Sequence, residues 1–379
     1  MTMADNKDKK VLNVPALRFP EFTGEWKFEL LDAIAPNITS GKSKPSIGEY
    51  NLYGSTGIIG KTATADYSGN MLLVARVGAN AGSLQLVNDN CGITDNTLII
   101  KPCKLSSHYL YFYLQHYNLN RLVFGSGQPL ITAGMLKKVR IPFGNQLEQR
   151  KIERLLVCVN ERISTQNKII EDLKKLMSAI SLLLFSECFA NDKLVPLKSI
   201  SNSIKRKNDG QIHPIMMISA EHGFINQSEK YDKDNAGNSL SNYTLLYKGE
   251  LSYNRGSSKS KKFGSVFSLL IQSALVPHVY HSFCMDESVA DCTFYSLLLN
   301  SRLLDKELVK VVSSTARMDG LLNISKEDFF SIKVPLPCID KQRSITNILQ
   351  KINIKIKREK NIQSLLCLQR KYLLSQMFI

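Results

Sequence analysis

The segment GSTGIIGKT (54–62) comes within one residue of a phosphate-binding loop. That loop needs G-x-x-x-x-G-K-[ST], so that backbone amides cradle the phosphates and the lysine offsets their charge. Counting back from Gly60 and Lys61 puts Ser55 where the first glycine belongs, and no apolar strand ending in Asp follows at a useful distance. The better reading is a glycine-rich turn presenting Ser55, Thr56 and backbone amides. FGSGQ (124–128) has glycines of the kind found in S-adenosylmethionine-binding turns, but it follows a helical pattern, not a strand. The Asn/Asp-Pro-Pro-Tyr/Phe tetrad that would grip a flipped adenine occurs nowhere, so self-contained methylation is not expected. Asp286 and Glu287 suggest the acidic motif of helicases, which does nothing without a phosphate loop. The cysteines at 91, 103, 158, 188, 284, 292, 338 and 367 form no CxxC pair. They read as reduced, mostly buried thiols. His278 and His281 have no matching Cys or carboxylate cluster, so neither a metal nor any other cofactor is expected. No Ser/His/Asp or Cys/His spacing argues for a nucleophile. The residues point to a chain that binds and does not catalyse.

What it would bind follows from charge. The chain has 49 Lys+Arg against 33 Asp+Glu, a formal charge of +16, and an excess that large points to a polyanion, nucleic acid ahead of a membrane surface. Both halves carry the excess, and residues 338–379 concentrate it, with nine basic residues against two acidic. Lys351, Lys355, Lys357, Arg358 and Lys360 there lie along phosphates, face an acidic partner, or form a solvated face. In the first half, Lys42, Lys44, Ser55, Thr56, Lys61, Arg76 and Asn80 fall in Gly- and Ser-rich turns where side chains reach outward. In the second, Lys205, Arg206, Lys207, Asn254, Arg255, Lys259, Lys261, Lys262 and Arg317 do the same. Arg and Asn suit bidentate contacts with guanine and adenine edges, whereas Lys more often holds phosphates. Arg76 and Arg255, each after a strand that follows a turn glycine, are expected to face DNA; the alternative for each is a carboxylate in its own globule.

These residues need elements to position them, and a repeat supplies the plan. VRIPFGNQLEQRKI (139–152) returns as IKVPLPCIDKQRSI (332–345), an offset of 193 that holds without a gap to Phe185 and Phe378. Each copy reads as a short strand closed by Pro and then a long helix. Along the first helix, Ile152, Leu156, Val159, Ile163, Gln166, Ile170, Leu173, Met177, Ile180 and Leu184 alternate in steps of four and three, a coiled-coil seam with one polar position. In the second the seam is Ile345, Leu349, Ile352, Ile356, Glu359, Gln363, Leu366, Arg370, Leu373 and Met377. Such seams must be covered, and the simplest partner for each is the other.

The fold class is therefore α+β: two globules separated by two long antiparallel coiled-coil helices, with a pseudo-two-fold internal repeat. The expected layout is a first globule over residues 1–145, a central helix over 146–190, a second globule over 191–337 and a C-terminal helix over 338–379. A helix of about 38 residues is about 57 Å long at 1.5 Å per residue. That rod would set two globules on separate major-groove faces, which recur every ~34 Å. Because the globules differ in sequence, the half-sites they read should differ too.

The opening VPALRFPEFTGEWKFELLDAIA (14–35) resembles the start of the first target-recognition domain in the specificity subunits of type I restriction–modification enzymes. So do YGSTGIIG (53–60), LLVARVG (72–78), GLLNISKEDFFSIKVPLP (320–337) and the helix starts LEQRKI and DKQRSI. The resemblance covers essentially the whole chain, departing where TARMDGLLNIS (315–325) lacks the family's usual glycine-rich turn. It implies two target-recognition domains, each reading half of a bipartite asymmetric double-stranded DNA site. It also implies a complex with two modification (methyltransferase) subunits and with restriction (nuclease/translocase) subunits, which carry the chemistry. The rival readings are a specificity subunit of a type IIB/IIG-like system and a coiled-coil adaptor without DNA. The polar MTMADNKDKK start is no signal peptide, and no apolar run reaches about eighteen residues, so a cytoplasmic protein outside the membrane is expected.

Overall fold

The two stretches that match at offset 193 fold alike. The computed structural model describes residues 13–123, 129–229, 237–258, 261–312 and 322–379. The chain divides into two compact units, residues 1–168 with 360–379, and residues 169–359. The first half runs β1 (Lys27–Leu30), α1 (Leu31–Ile34), β2 (Thr39–Ser40), β3 (Tyr50–Gly54), β4 (Gly57–Thr62), β5 (Asn70–Ala75), β6 (Leu84–Asn88), β7 (Cys91–Ile93) and β8 (Thr97–Ile100). It continues with α2 (Ser107–Tyr117), α3 (Ala133–Lys137), β9 (Arg140–Phe143) and the long α4 (Gln146–Asn191). The second half runs β10 (Leu194–Pro196), β11 (Ser201–Ser203), β12 (Met216–Ser219), β13 (Gly223–Asn226), β14 (Thr244–Tyr247), β15 (Leu251–Asn254), β16 (Ser265–Ser268), β17 (Ser273–Val276) and β18 (His281–Met285). It closes with α5 (Cys292–Leu299), α6 (Asp305–Val311), α7 (Lys326–Ser331), β19 (Lys333–Pro335) and the long α8 (Ile339–Gln376).

The strands repeat the same plan. β1 pairs antiparallel with β9, setting Phe28 opposite Pro142, and β10 pairs with β19, setting Leu194 opposite Pro335. A four-stranded antiparallel sheet ordered β2-β8-β5-β6 in the first unit has its counterpart in β11-β18-β15-β16 in the second. A helix capped by a side chain follows each sheet: Ser106 accepts from the amide of Tyr109 at the start of α2, and Asp291 from that of Phe294 at α5. Tyr109 then donates its hydroxyl to Pro142 O (3.0 Å), and Tyr295 to Pro335 O (2.9 Å). The matched glutamines do matched work, Gln149 Nε2 donating to Gly144 O (2.9 Å) and Gln342 Nε2 to Pro337 O (2.8 Å).

The layer over this frame does not repeat. The first unit has a three-stranded sheet β4-β3-β7, in which β3 and β7 run parallel. The second has two antiparallel pairs, β12-β13 and β14-β17, joined by a parallel bridge between Ile215 and Leu275.

Burial along the long helices follows the seam. From Arg162 to Leu184 of α4, the only positions not exposed are Ile163, Gln166, Ile170, Leu173, Met177, Ile180, Ser181 and Leu184. On α8, Ile345, Leu349, Ile356 and Leu373 are buried, while Ile352 and Leu366 are half-buried. In the first unit the antiparallel pairing shows in side-chain contacts. Arg370 Nε donates to Asn160 Oδ1 (2.5 Å), and Gln363 donates to Asn167, so partners advance on one helix as they recede on the other. In the second unit the start of α8 meets the end of α4, where Lys341 pairs with Glu187 (3.3 Å) and Asp192 (3.0 Å).

Each core is closed by both helices. In the first unit Ile152, Leu156 and Val159 at the start of α4 join Leu373, Leu374, Met377 and Phe378 at the end of α8. In the second, Ile345 and Leu349 of α8 join Phe185 and Cys188 of α4. Phe378 meets Trp26, Tyr109 and Tyr113 edge-on at 5.6–6.5 Å, and Phe185 meets Phe294 at 5.6 Å. The start of α4 is fixed by charge as well: the buried Glu148 carboxylate takes Arg18 Nε (2.7 Å) and Nη2 (2.9 Å). A Cβ on Gly144 would stand 2.0 Å from that carboxylate, so only glycine fits there.

Candidate nucleic-acid interface

The basic loops grow from equivalent places on the frame. In the first unit the loop leaving β2 carries Lys42 and Lys44, both exposed. The segment that comes near a phosphate-binding loop is the β3–β4 hairpin, with Gly54 opposite Gly57. Its amides pair across strands and no helix follows, so it forms no phosphate cradle. Ser55 is half-buried and Thr56 exposed at the hairpin's turn. Lys61 on β4 donates to Glu49 O and Asn51 Oδ1, both at 3.0 Å. Asn51 in turn donates to Asp89 (3.0 Å), which also accepts from the Tyr53 hydroxyl (3.3 Å). The Asn51 hydrogen bond holds the Asp89 carboxyl below its ordinary range, and burial pushes the Tyr53 phenol up. This Asn51–Tyr53–Asp89 group was not legible in the sequence, because Asp89 lies 36 and 38 residues from its partners. Asn80 is exposed on the short turn after β5.

In the second unit the loop leaving β11 carries Lys205, Arg206 and Lys207, all exposed. They have different work. Arg206 forms a two-pronged pair with Glu250 (3.0 and 3.1 Å), donates to Leu245 O (3.1 Å) and lies 4.3 Å over the Tyr247 ring. Glu250 holds the Arg206 guanidinium above its ordinary value, and the whole assembly fixes the base of the loop. Lys205 and Lys207 are left to face outward. Asn254 is also committed, donating to Ile218 O (3.1 Å) and accepting from the Gly256 amide (2.9 Å). Lys261 lines two cavities of about 270 and 480 Å³ together with Asn300, Ser301 and Arg302. Burial holds its ammonium below the ordinary value, with Asp305 pulling the other way. Lys262 beside it is exposed. Lys259 and Arg317 lie outside the described residues.

Arg76 and Arg255 stand at the same place in the frame, one residue past β5 and β15, each strand following a positive-φ glycine, Gly69 and Gly249. The Arg76 carbonyl accepts from the Ile131 amide (2.9 Å) and the Arg255 carbonyl from the Leu322 amide (3.1 Å). Both side chains are half-buried, and both Nε atoms are buried without a hydrogen-bond partner among the described residues. No carboxylate pairs with either among the described residues; Arg255 Nη1 donates instead to Ile324 O (3.3 Å). The Nε atoms are out of solvent reach, so a base contact would use the terminal nitrogens. Below Arg255, His281 Nε2 meets Ile324 O (3.2 Å), and burial holds its pKa below the ordinary value.

Among the described residues no group of three or more His, Cys, Asp or Glu is placed to hold a metal ion, and no helix is long and apolar enough to cross a membrane.

The frame is built twice, and a loop with exposed lysines leaves the matching edge strand, β2 or β11, each time. Residues 29–175 match the family described as type I restriction modification DNA specificity domain. The stretch 29–175 therefore resembles the DNA specificity domain of type I restriction–modification systems. The fold of the chain is that of the type I restriction-modification S subunit from M. genitalium, 19% identical, covering 97% of this chain and 99% of that one with a TM-score of 0.64. A chain from a study of complex assembly and conformational transition of the type I R-M system superposes at TM-score 0.53, with 13% identity over 93% of this chain and 97% of that one. Among curated proteins no sequence matches.

Proposed function

We propose that this chain reads a bipartite, asymmetric double-stranded DNA site, one half through each globule, and directs modification and restriction subunits to it. The observation that carries this reading is the repeated frame with an unrepeated layer. The matched β1–β9 and β10–β19 pairs and their glutamines hold two globules of one design, while the strands and loops over each sheet differ. The first reading surface falls within residues 1–145 and the second within 191–337, with 146–190 and 338–379 as spacer helices.

In this reading the chain does no chemistry itself. Lys42, Lys44, Lys205, Lys207 and Lys262 hold phosphates, and the ends of Arg76 and Arg255 approach bases. Arg206 and Asn254 shape their loops, since their polar groups are already spent within the globule. The partners are two modification (methyltransferase) subunits and the restriction (nuclease/translocase) subunits, in the cytoplasm. The test is adenine-methylation mapping across the genome of cells carrying the cognate modification subunit, with and without this chain. A split motif of two unlike halves, methylated only when the chain is present, is the expected result. No new motif, with both proteins expressed and associated, would refute the reading.

A further inference from the structure

Ile47 and Ile212 are the most exposed large apolar side chains among the described residues, at 101% and 103% of full accessibility. They occupy the same loop of the repeated frame. Ile47 follows the edge strand β2 and lies five residues past Lys42; Ile212 follows the edge strand β11 and lies five residues past Lys207. An isoleucine wholly in water forgoes the gain of burial, and an unconstrained loop would fold it inward.

Neither loop is free to do so. The Ser46 amide donates to Lys61 O (3.2 Å), and the Ser46 hydroxyl accepts from the Ala63 amide (2.8 Å). On the other side of Ile47, Gly48 lies so close that a Cβ would be 2.2 Å from Thr62 O. Around Ile212 the pinning is different in chemistry but alike in effect. Asn208 and Asp209 accept from the amides of Gly210 and Gln211, each at 3.0 Å. His213 is held between Asp209 and Ser273, both at 2.9 Å, and Pro214 O accepts from the Leu275 amide (2.9 Å). The Ser273–His213–Asp209 chain therefore has a use as a clamp that keeps Ile212 pointing out. Isoleucine is also stiff at χ1, which suits a side chain presented from a fixed backbone.

We propose that Ile47 and Ile212 each make apolar contact with the 5-methyl group of a thymine in the major groove, while the lysines of the same loops hold the flanking phosphates. The proposal rests on the DNA-reading function above. Thymine is the one base whose major-groove edge carries a methyl group, and an apolar side chain is what recognises it.

The experiment uses the full chain in complex with its modification subunits and a duplex bearing the mapped motif, with each thymine replaced in turn by deoxyuridine. Wild type should lose about fourfold in affinity at one thymine of each half-site, the worth of burying one methyl group. Ile47→Ala should bind the thymine duplex about fourfold more weakly and be indifferent to uracil at one of those two positions; Ile212→Ala should be indifferent at the other. Both side chains are in water, so the variants should melt like wild type. If both variants keep the wild-type response to uracil, or lose as much on uracil duplexes as on thymine ones, the methyl contact is refuted. The second pattern would mark a wedge between base pairs. A half-site in which no thymine methyl matters also refutes it. Wild type that fails to tell the motif from a scrambled duplex would overturn the DNA-reading function itself, a different failure from these.

Discussion

The first and second units agree in what holds them together and differ in what they show to the outside. Gln149 and Gln342 each donate to the carbonyl five residues earlier, Tyr109 and Tyr295 donate to matched proline carbonyls, and Phe378 and Phe185 each pack edge-on against aromatic rings in the core of their unit. Above that frame one unit has the three strands β4-β3-β7 and the other two strand pairs. Even the shared loop after the edge strand is fixed by unrelated means, a serine and a close-packed glycine in one unit and an Asp–His–Ser chain in the other. The frame needs particular residues at particular places, whereas the outer layer needs only to be held rigid, which leaves its sequence free to differ between the units.

The two cores should respond separately when the matched phenylalanines are removed. Phe378→Ala and Phe185→Ala should each cost about 3–5 kcal/mol, the usual price of an aromatic removed from a core. Hydrogen exchange should place the loss in the first unit for Phe378 and in the second for Phe185. Phe378 should cost more, because it meets three aromatic rings edge-on against one. Loss spread evenly over both units by either variant would contradict the division of the cores.

The matched glutamines differ in depth. Gln342 is wholly buried, donates to Pro337 O and Val289 O and accepts from the Asp291 amide. Gln149 is half-buried and makes the single contact with Gly144. Denaturant unfolding should show a loss of about 1–3 kcal/mol for Gln342→Ala, which strands buried partners, and about 1 kcal/mol or less for Gln149→Ala.

A smaller effect appears as pH falls. Burial lowers the pKa of His281 in the folded state, helped by the charges of Arg255 and Lys326. An unfolded histidine titrates at about 6.5. As pH falls through that value the unfolded chain takes a proton that the folded one resists, so stability present above it is lost on acidification. Thermal unfolding at pH 7.5 and 5.5 should show His281→Asn less sensitive to acid than wild type; equal sensitivity would remove His281 from the cause. His116 in the first unit is shifted in the same direction, again by burial first, so some acid sensitivity should remain.

The smallest effect concerns the loops. Lys42→Ala and Lys44→Ala should each weaken binding to all sequences alike and reduce the slope of log affinity against log salt by about one. Arg206→Ala should instead loosen its loop, since the guanidinium is paired with Glu250.

The frame was legible in the sequence because its signals are local or periodic. The seam spacing named which residues of α4 turn inward down to the polar Gln166, and the 193-residue offset named the matched strands and glutamines. What stayed hidden depends on distant partners. Nothing near Arg206 announces Glu250, 44 residues away, and nothing near Asn254 announces the Ile218 carbonyl. The exposure of Ile47 and Ile212 was hidden for the same reason, since an isoleucine reads as core until the contacts that hold its neighbours are seen.

If one frame carries two independent reading layers, residues 41–96 can be exchanged for the equivalent segment of a type I specificity subunit with a different target. Adenine methylation would then be mapped in cells with the modification subunit. The shared frame predicts that one half of the motif changes and the other stays as it was. An assembled complex in which both halves change, or neither does, would contradict it.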